Sequence, residues 1–359
     1  IREGNIPPSV GLVVEQDGQE RITVTPEAGP VRISAQVTDL NPDDSLERVW
    51  QADELPTEAF NASEESLVID PANLTPGEAP LIRLAVTDDG EPPLTTTAFV
   101  RLNLVNQLAS LDPEADSDGD GIPDGEEGLV DSDQDGIPDF LDSANNDVSV
   151  MPERANEPQR FLMESSPGTA LRLGRAALFS ADGGTEIGEE DMQAGLGGIT
   201  PDPEVTNVCG LFDFRIENLS DPGQMVQIVI PQRQEIPDEP VYRKFVPEQG
   251  WRDFVEDSRN LLASAPGEPG FCPPAGSNEF VPGLTPGHWC LQLTLEDGGP
   301  NDADGLANGR ILDPGGVGIS VPDDSGGDSD DGVTDDPDND PGDDVGDDPN
   351  NADDSGNDN

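Results

Sequence analysis

The sequence predicts an all-β, multidomain protein, and three observations carry that expectation. The composition is turn-rich, with 40 Gly and 36 Pro in 359 residues and only 4% aromatics, which suits many short strands joined by tight turns. Apolar and polar residues alternate over short runs, as in Val31-Arg-Ile33-Ser-Ala35-Gln-Val37 and Leu291-Gln-Leu293-Thr-Leu295; a period of two lines one face of a strand. The acids are segregated: residues 112–147 hold 14 acids and residues 321–359 hold 16 Asp, neither stretch with a Lys or Arg. Such stretches separate core-forming regions from segments that cannot form a core.

Residues 1–106 read as one β-sandwich. Strands are predicted at Gly11–Glu15, Glu20–Val24, Val31–Val37, Leu46–Gln51, Ser66–Ile69, Leu81–Val86 and Thr96–Val105, separated by turn signals such as Asn41-Pro42, Pro71 and Asp89-Gly90. About seven short strands with polar turns suggest an Ig-like sandwich, with Trp50 as a core aromatic. The stretch Ala85-Val-Thr-Asp-Asp89-Gly90-Glu-Pro-Pro-Leu-Thr-Thr-Thr and the run Asn5-Ile-Pro-Pro8 resemble the last hairpin and the start of cadherin-like and PKD-like repeats. The complete set of cadherin linker ligands is absent. Asp39, Asn41, Asp43, Asp44, Asp88 and Asp89 are therefore either cation ligands or plain turn acids.

Residues 107–149 carry an acidic motif in two copies. One copy reads Asp116-Ser-Asp118-Gly-Asp120-Gly121-Ile122-Pro-Asp124-Gly-Glu-Glu127. The next reads Asp131-Ser-Asp133-Gln-Asp135-Gly136-Ile137-Pro-Asp139-Phe-Leu-Asp142. Acids at loop positions 1, 3, 5, 9 and 12 converge on one cation, Gly at position 6 permits the sharp turn, and position 7 offers its carbonyl, here from Ile122 and Ile137. The spacer Gly128-Leu-Val130 leaves no room for the flanking helices of an EF-hand. Back-to-back loops of this form resemble thrombospondin type 3 repeats. The resemblance implies two or more Ca2+ held by Asp116, Asp118, Asp120, Asp124 and Glu127, then Asp131, Asp133, Asp135, Asp139 and Asp142. A solvated acidic linker is the plainer reading, and the schedule occurring twice weighs against it.

Residues 150–320 read as a second β-rich domain. Phe212–Glu217 and Leu291–Glu296 alternate, Met225–Ile230 is a continuous apolar strand, and Ala170–Phe179 and Gly309–Val321 supply two more; the Pro- and Gly-rich stretch Arg233–Gly287 is expected to form long surface loops. Three cysteines, none in a CxxC pair, argue against zinc and for one disulfide. Cys272–Cys290 is favoured as a short loop, with Cys209 a small buried apolar residue. Gly250-Trp251-Arg-Asp-Phe254, Pro282-Gly-Leu-Thr-Pro-Gly287-His288-Trp289-Cys290 and Asp297-Gly-Gly-Pro-Asn301-Asp302-Ala-Asp304-Gly305 resemble the choice-of-anchor type of domain, which bacteria place before a C-terminal sorting signal. No such signal follows in this sequence. The run Asp297–Asp313 is either a cation loop or a hydrogen-bonded Asx-turn loop.

Residues 321–359 have almost no apolar content and are expected to be a disordered Asp-rich tail. A net charge of −59 argues against nucleic acid and against direct adhesion to an anionic bilayer. No apolar run is long enough to insert in a membrane as a helix. The one His, His288, lacks a recognisable nucleophile and oxyanion loop, and no GxSxG or HExxH motif occurs. The chain is therefore expected not to be an enzyme. The resemblances imply a calcium-stabilised structural or adhesive protein, secreted or on the cell surface, of a Gram-negative bacterium, with self-association or a cell-surface or matrix ligand as its partner. A self-assembling extracellular filament subunit and the accessory region of a secreted hydrolase are the alternatives.

Overall fold

The protein is all-β in a computed structural model that describes residues 5–52, 55, 59–75, 79–180, 182–247 and 249–321. The expected acidic tail lies outside the described residues apart from Val321. The first ten strands are β1 (Ser9–Gln16), β2 (Gln19–Glu20), β3 (Thr23–Val24), β4 (Val31–Thr38), β5 (Glu47–Ala52), β6 (Phe60–Ala62), β7 (Ser66–Ile69), β8 (Leu81–Thr87), β9 (Thr95–Arg101) and β10 (Asn103–Leu104). One sheet has the order β2-β1-β4-β7-β6 and the facing sheet β5-β8-β9, all neighbours antiparallel; β10 and β3 form a short parallel pair. Setting β2 aside, these orders are the ABED and CFG sheets of a constant-type immunoglobulin sandwich.

Alternation explains the packing. Val14, Val31, Ile33, Leu67 and Ile69 from the first sheet and Ile82 from the second share one buried cluster, and Trp50 packs against it and against a second one around Leu84 and Val86. The predicted strand over Thr96–Val105 is two strands, split at Leu102, whose amide bonds back to Pro80.

The segment after β10 carries one four-residue helix, α1 (Asp124–Glu127), and a 3-10 turn at Asp139–Leu141. Beyond it lie β11 (Val150–Pro152), β12 (Leu162–Ser165), β13 (Ala170–Leu173), a short helix α2 (Glu189–Ala194), β14 (Val205–Glu217), β15 (Met225–Pro231), β16 (Pro240–Val246), β17 (Gly250–Asp253), β18 (Leu261–Ala265), β19 (Val281–Pro282), β20 (Cys290–Glu296) and β21 (Ile311–Ser320). They build a six-stranded sheet, β11-β12-β15-β20-β18-β19, and a five-stranded sheet, β13-β14-β21-β16-β17. Met163, Val226, Ile228, Leu291 and Leu293 from one sheet and Leu171, Phe214, Tyr242 and Val317 from the other fill a single core, the second core of the molecule, distinct from the two clusters of the first ten strands.

The stretch Arg233–Gly287 differs from its expectation as surface loops. It contributes β16 to β19 and buries Tyr242, Phe245 and Phe254. Arg243 and Lys244 interrupt the apolar pattern there, and both are neutralised by residues distant in sequence: Arg243 by Asp202 at 2.6 Å, Lys244 by Asp313. A window of local sequence cannot register such partners.

The described residues belong to one compact unit. Side chains cross directly between the two sets of sheets. The Arg215 guanidinium stacks 4.8 Å over Phe99, Arg101 stacks 4.3 Å over Phe179, and Arg310 donates to the Thr97 carbonyl at 3.1 Å.

The structure forms the Cys272–Cys290 disulfide, with Cα atoms 5.6 Å apart and a sequence separation of 18. Closing a loop of that size contributes about 3 kcal/mol by restricting the unfolded chain. Cys272→Ser with Cys290→Ser is expected to lose that amount in urea unfolding, and a loss below about 1 kcal/mol would count against the chain-entropy account. Cys209 is fully buried and its thiol is pushed up to about 12 by burial, so it stays protonated and unreactive while the core is intact.

Candidate metal centre

The two acidic loops share one construction. Each turns on a glycine at positive φ, Gly121 at 97° and Gly136 at 108°, a region that side chains rarely adopt. At Gly136 a Cβ would also press on Leu173 at 3.0 Å. Each loop brings its first three acids together: in the sets Asp116, Asp118, Asp120 and Asp131, Asp133, Asp135, one carboxylate oxygen per residue lies within 4.8 Å of the others.

In the second loop every oxygen of four carboxylates is accounted for in the same way. One oxygen is fixed by a backbone amide: Asp131 by Gly136, Asp133 by Asp135, Asp135 by Ile137 and Asp142 by Ala144, at 2.7–3.2 Å. The other oxygen of each is buried without any hydrogen-bond partner. Four bare, oriented carboxylate oxygens are a poor arrangement for protein alone and a suitable one for a hard cation. The residues therefore fit a metal ion. The first loop repeats the pattern at lower burial, with Asp118 Oδ2 and Glu127 Oε2 bare.

At position 9 the carboxylate implied as a ligand is also held by its own loop. Asp124 accepts from both the amide and the hydroxyl of Ser117 at 2.7 Å, and Asp139 accepts from both groups of Ser132 at 2.7 and 2.5 Å. Both oxygens are used to brace the loop's second residue, an arrangement that leaves a bound water as the natural bridge from position 9 to an ion. Asn145, unforeseen in the sequence, donates to Glu127 Oε1 at 2.9 Å and ties the first loop to the segment following the second.

The surroundings of the two loops are unequal. The second is packed between the sheets: Asp131 N donates to Glu20 O at 3.3 Å, Gln134 reaches the Glu20 carboxylate, and Leu173 N donates to Asp135 O at 2.8 Å. Ile137 is 1% exposed and belongs to the second core, whereas Ile122 at the same motif position is 37% exposed. Arg172 faces Asp131 and Asp133 as a partial counter-charge.

Burial is the leading cause of the electrostatic strain in both loops, with mutual repulsion added. Asp131 is pushed up from 3.8 to about 7, Asp133 to about 6 and Asp142 to about 8, and Asp135 is raised as well. In the first loop Asp118 is pushed to about 6 and Glu127 from 4.5 to about 8. Each folded value lies above its unfolded one, so the metal-free native state holds more protons between pH 4 and pH 8. Its stability is present below the unfolded values and is lost as pH rises through that window. Metal-free protein is accordingly expected to unfold at lower temperature at pH 8 than at pH 5, and saturating cation should abolish the trend. A flat metal-free profile would count against buried, unpaired carboxylates.

A third acidic cluster joins Asp39, Asp44 and Asp88. Asp88 Oδ1 accepts from Asn5 Nδ2 at 2.7 Å and from Gly90 N and Leu94 N at 3.0 Å, while Oδ2 of all three aspartates is buried and bare. Asn41 and Asp89 tie separate segments together, accepting from Ile6 N and Ser45 N at 2.8 and 2.7 Å. The 297–313 loop contrasts with this. Asp297 accepts from Gly223, Asn308 and Gly309, Asp302 from Gly298 and Leu312, and Asn301 pairs with Val255 in both directions. Its acids satisfy the backbone, as an Asx-turn loop does.

His288 has a structural contact. Its Nδ1 lies 3.0 Å from Ser264 Oγ, and that hydroxyl already donates to Gly283 O at 2.8 Å.

No described helix is long and apolar enough to cross a membrane, which says nothing of β-barrels. No family model matches the chain, and no curated protein matches it. Among solved structures it is similar to a nucleoside hydrolase-related hypothetical protein from Saccharophagus degradans associated with carbohydrate metabolism, at 24% identity over 28% of this chain and a TM-score of 0.21. The chain spans 26% of that protein's length. It is also similar to a carbohydrate-binding module from the β-sandwich superfamily, at 8% identity over 89% of this chain and all of that one, with a TM-score of 0.20. Likenesses at these TM-scores carry no argument about this chain's activity.

Proposed function

We propose that this chain is a calcium-stabilised structural or adhesive segment of an extracellular or cell-surface protein, and that it is not a catalyst. The observation that supports this reading most is the set of four bare, buried carboxylate oxygens in the loop Asp131–Asp142, lodged between two β-sandwiches. Oxygen-only donors select a hard cation, and a loop of this schedule suits calcium rather than zinc. Filling it neutralises the acids and couples ion binding to the order of the whole segment. Millimolar external calcium would occupy even a weak extracellular-class site. The disulfide accords with an oxidising compartment.

The test is calcium counting by elemental mass spectrometry on desalted protein, with limited proteolysis with and without chelator. At least two ions per chain and chelator-dependent cleavage within residues 112–147 are expected; a third ion would assign the Asp39–Asp44–Asp88 cluster. No bound ion, with the same cleavage in both conditions, would sink the reading.

A further inference from the structure

The chain contains one lysine among 359 residues, against 16 arginines, and that lysine is fully buried. Lys244 on β16 and Asp313 on β21 both have side chains at 0% exposure and are in direct contact, Nζ against Oδ1. The register explains the meeting. Lys244 lies opposite Gly315, so Asp313 is its diagonal neighbour on the same face of the sheet. Gly315 also makes room for a third group: a Cβ there would sit 2.9 Å from the Tyr242 hydroxyl. That hydroxyl is buried without a hydrogen-bond partner, as are the Asp313 carboxylate oxygens, and the phenol and carboxylate influence one another electrostatically. The three groups occupy the second core, which Tyr242, Phe245, Ile311 and Val317 help to line.

We propose that Lys244 and Asp313 condense to an intramolecular amide that cross-links β16 to β21. The proposal is independent of the calcium reading. An isolated buried ion pair is a weak source of stability. The same two groups held in contact without water form a reactant pair whose encounter entropy has already been spent in folding. Desolvation acts on both in the productive direction: it lowers the Lys244 ammonium from its usual value and raises the Asp313 carboxyl. Both shifts move the proton from nitrogen to oxygen, giving a nucleophilic amine and an electrophilic acid. The nearest other charges acting on the amine, Asp302 and Arg252, oppose one another. A guanidinium could not substitute, because it stays protonated.

The step balances without any added reagent. After proton transfer the amine lone pair attacks Cγ of Asp313 and forms the Nζ–Cγ bond. Charge moves to the carbonyl oxygen, toward which the Tyr242 O–H can donate. Burial raises the phenol well above its ordinary value, so it remains a donor. One nitrogen-bound proton passes to the carboxyl hydroxyl, the Cγ–O bond breaks, and one water leaves.

The sole lysine makes the test clean. Full-length protein is unfolded in denaturant, and its intact mass is compared with that required by the sequence with the Cys272–Cys290 disulfide formed. The expected result is a loss of one water, with an amine-reactive label reaching only the α-amine. Digestion should then release a branched peptide joining the segments that contain residues 244 and 313. Lys244→Arg should have the mass its sequence requires. A wild-type mass that matches the sequence, with Lys244 labelled once the chain is unfolded, would overturn the proposal and leave a buried ion pair. The wild-type measurement decides the matter even where a variant fails to fold.

Discussion

Asp133→Ala together with Asp135→Ala is expected to remove one calcium ion per chain and to lower the thermal midpoint in calcium by roughly 5–10 °C. A ligand at a hundred times its Kd stabilises by about 2.7 kcal/mol, and a chain of this size shifts by about 2–4 °C per kcal/mol. Asp118→Ala with Asp120→Ala should also remove one ion but shift the midpoint less. The first loop is the more exposed, and its side chains do not enter a core. The sign in the absence of calcium separates this account from a general packing defect. Without the cation, Asp133 and Asp135 carry bare buried oxygens beside two further carboxylates, so the same double substitution should be neutral or stabilising. Scanning calorimetry in calcium and in chelator reads both signs. Equal destabilisation in the two conditions would show that the acids do not act through a bound ion.

Ile137→Ala should cost about 2–5 kcal/mol in denaturant unfolding, the range for deleting most of a buried aliphatic side chain. Ile122→Ala should stay within about 0.5 kcal/mol, as surface substitutions do. The two residues hold the same motif position, and each offers a main-chain carbonyl that either substitution leaves in place. Calcium stoichiometry should therefore survive in both variants while stability separates them. The difference arises from burial: Ile137 enters the core with Leu171, Leu173 and Phe214, and Ile122 does not. Equal costs would mean that the second loop is not seated in the core.

This asymmetry bears on how the segment works. The second loop shares its hydrogen bonds with both sets of sheets, through Glu20 on one side and Leu173 on the other. Arg101, Arg215 and Arg310 join the sheets without involving the loops. In calcium, where the substitution removes the ion, Asp133→Ala with Asp135→Ala should therefore disturb more than the order of residues 112–147 and should loosen the second core through Ile137.

The sequence by itself determined what short-range chemistry can encode. Strand positions such as Val31–Val37 and Leu291–Glu296 followed from alternation, because a pleated strand repeats every two residues. The ligand schedule of Asp116–Asp142 followed from spacing, because neighbouring acids on one tight turn converge whatever lies around them. The tertiary structure alone decided which acids are buried and which charges are neutralised. β16 was hidden because Arg243 and Lys244 break its pattern, and their partners Asp202 and Asp313 lie 41 and 69 residues away. The clustering of Asp39, Asp44 and Asp88 depends on the β4–β5 and β8–β9 connections meeting at one end of the sandwich, where Glu47 pairs with Thr87. The unequal depth of two nearly identical loops depends on which of them the second core receives. Burial is a property of the assembled sheets, and no local window of residues contains it.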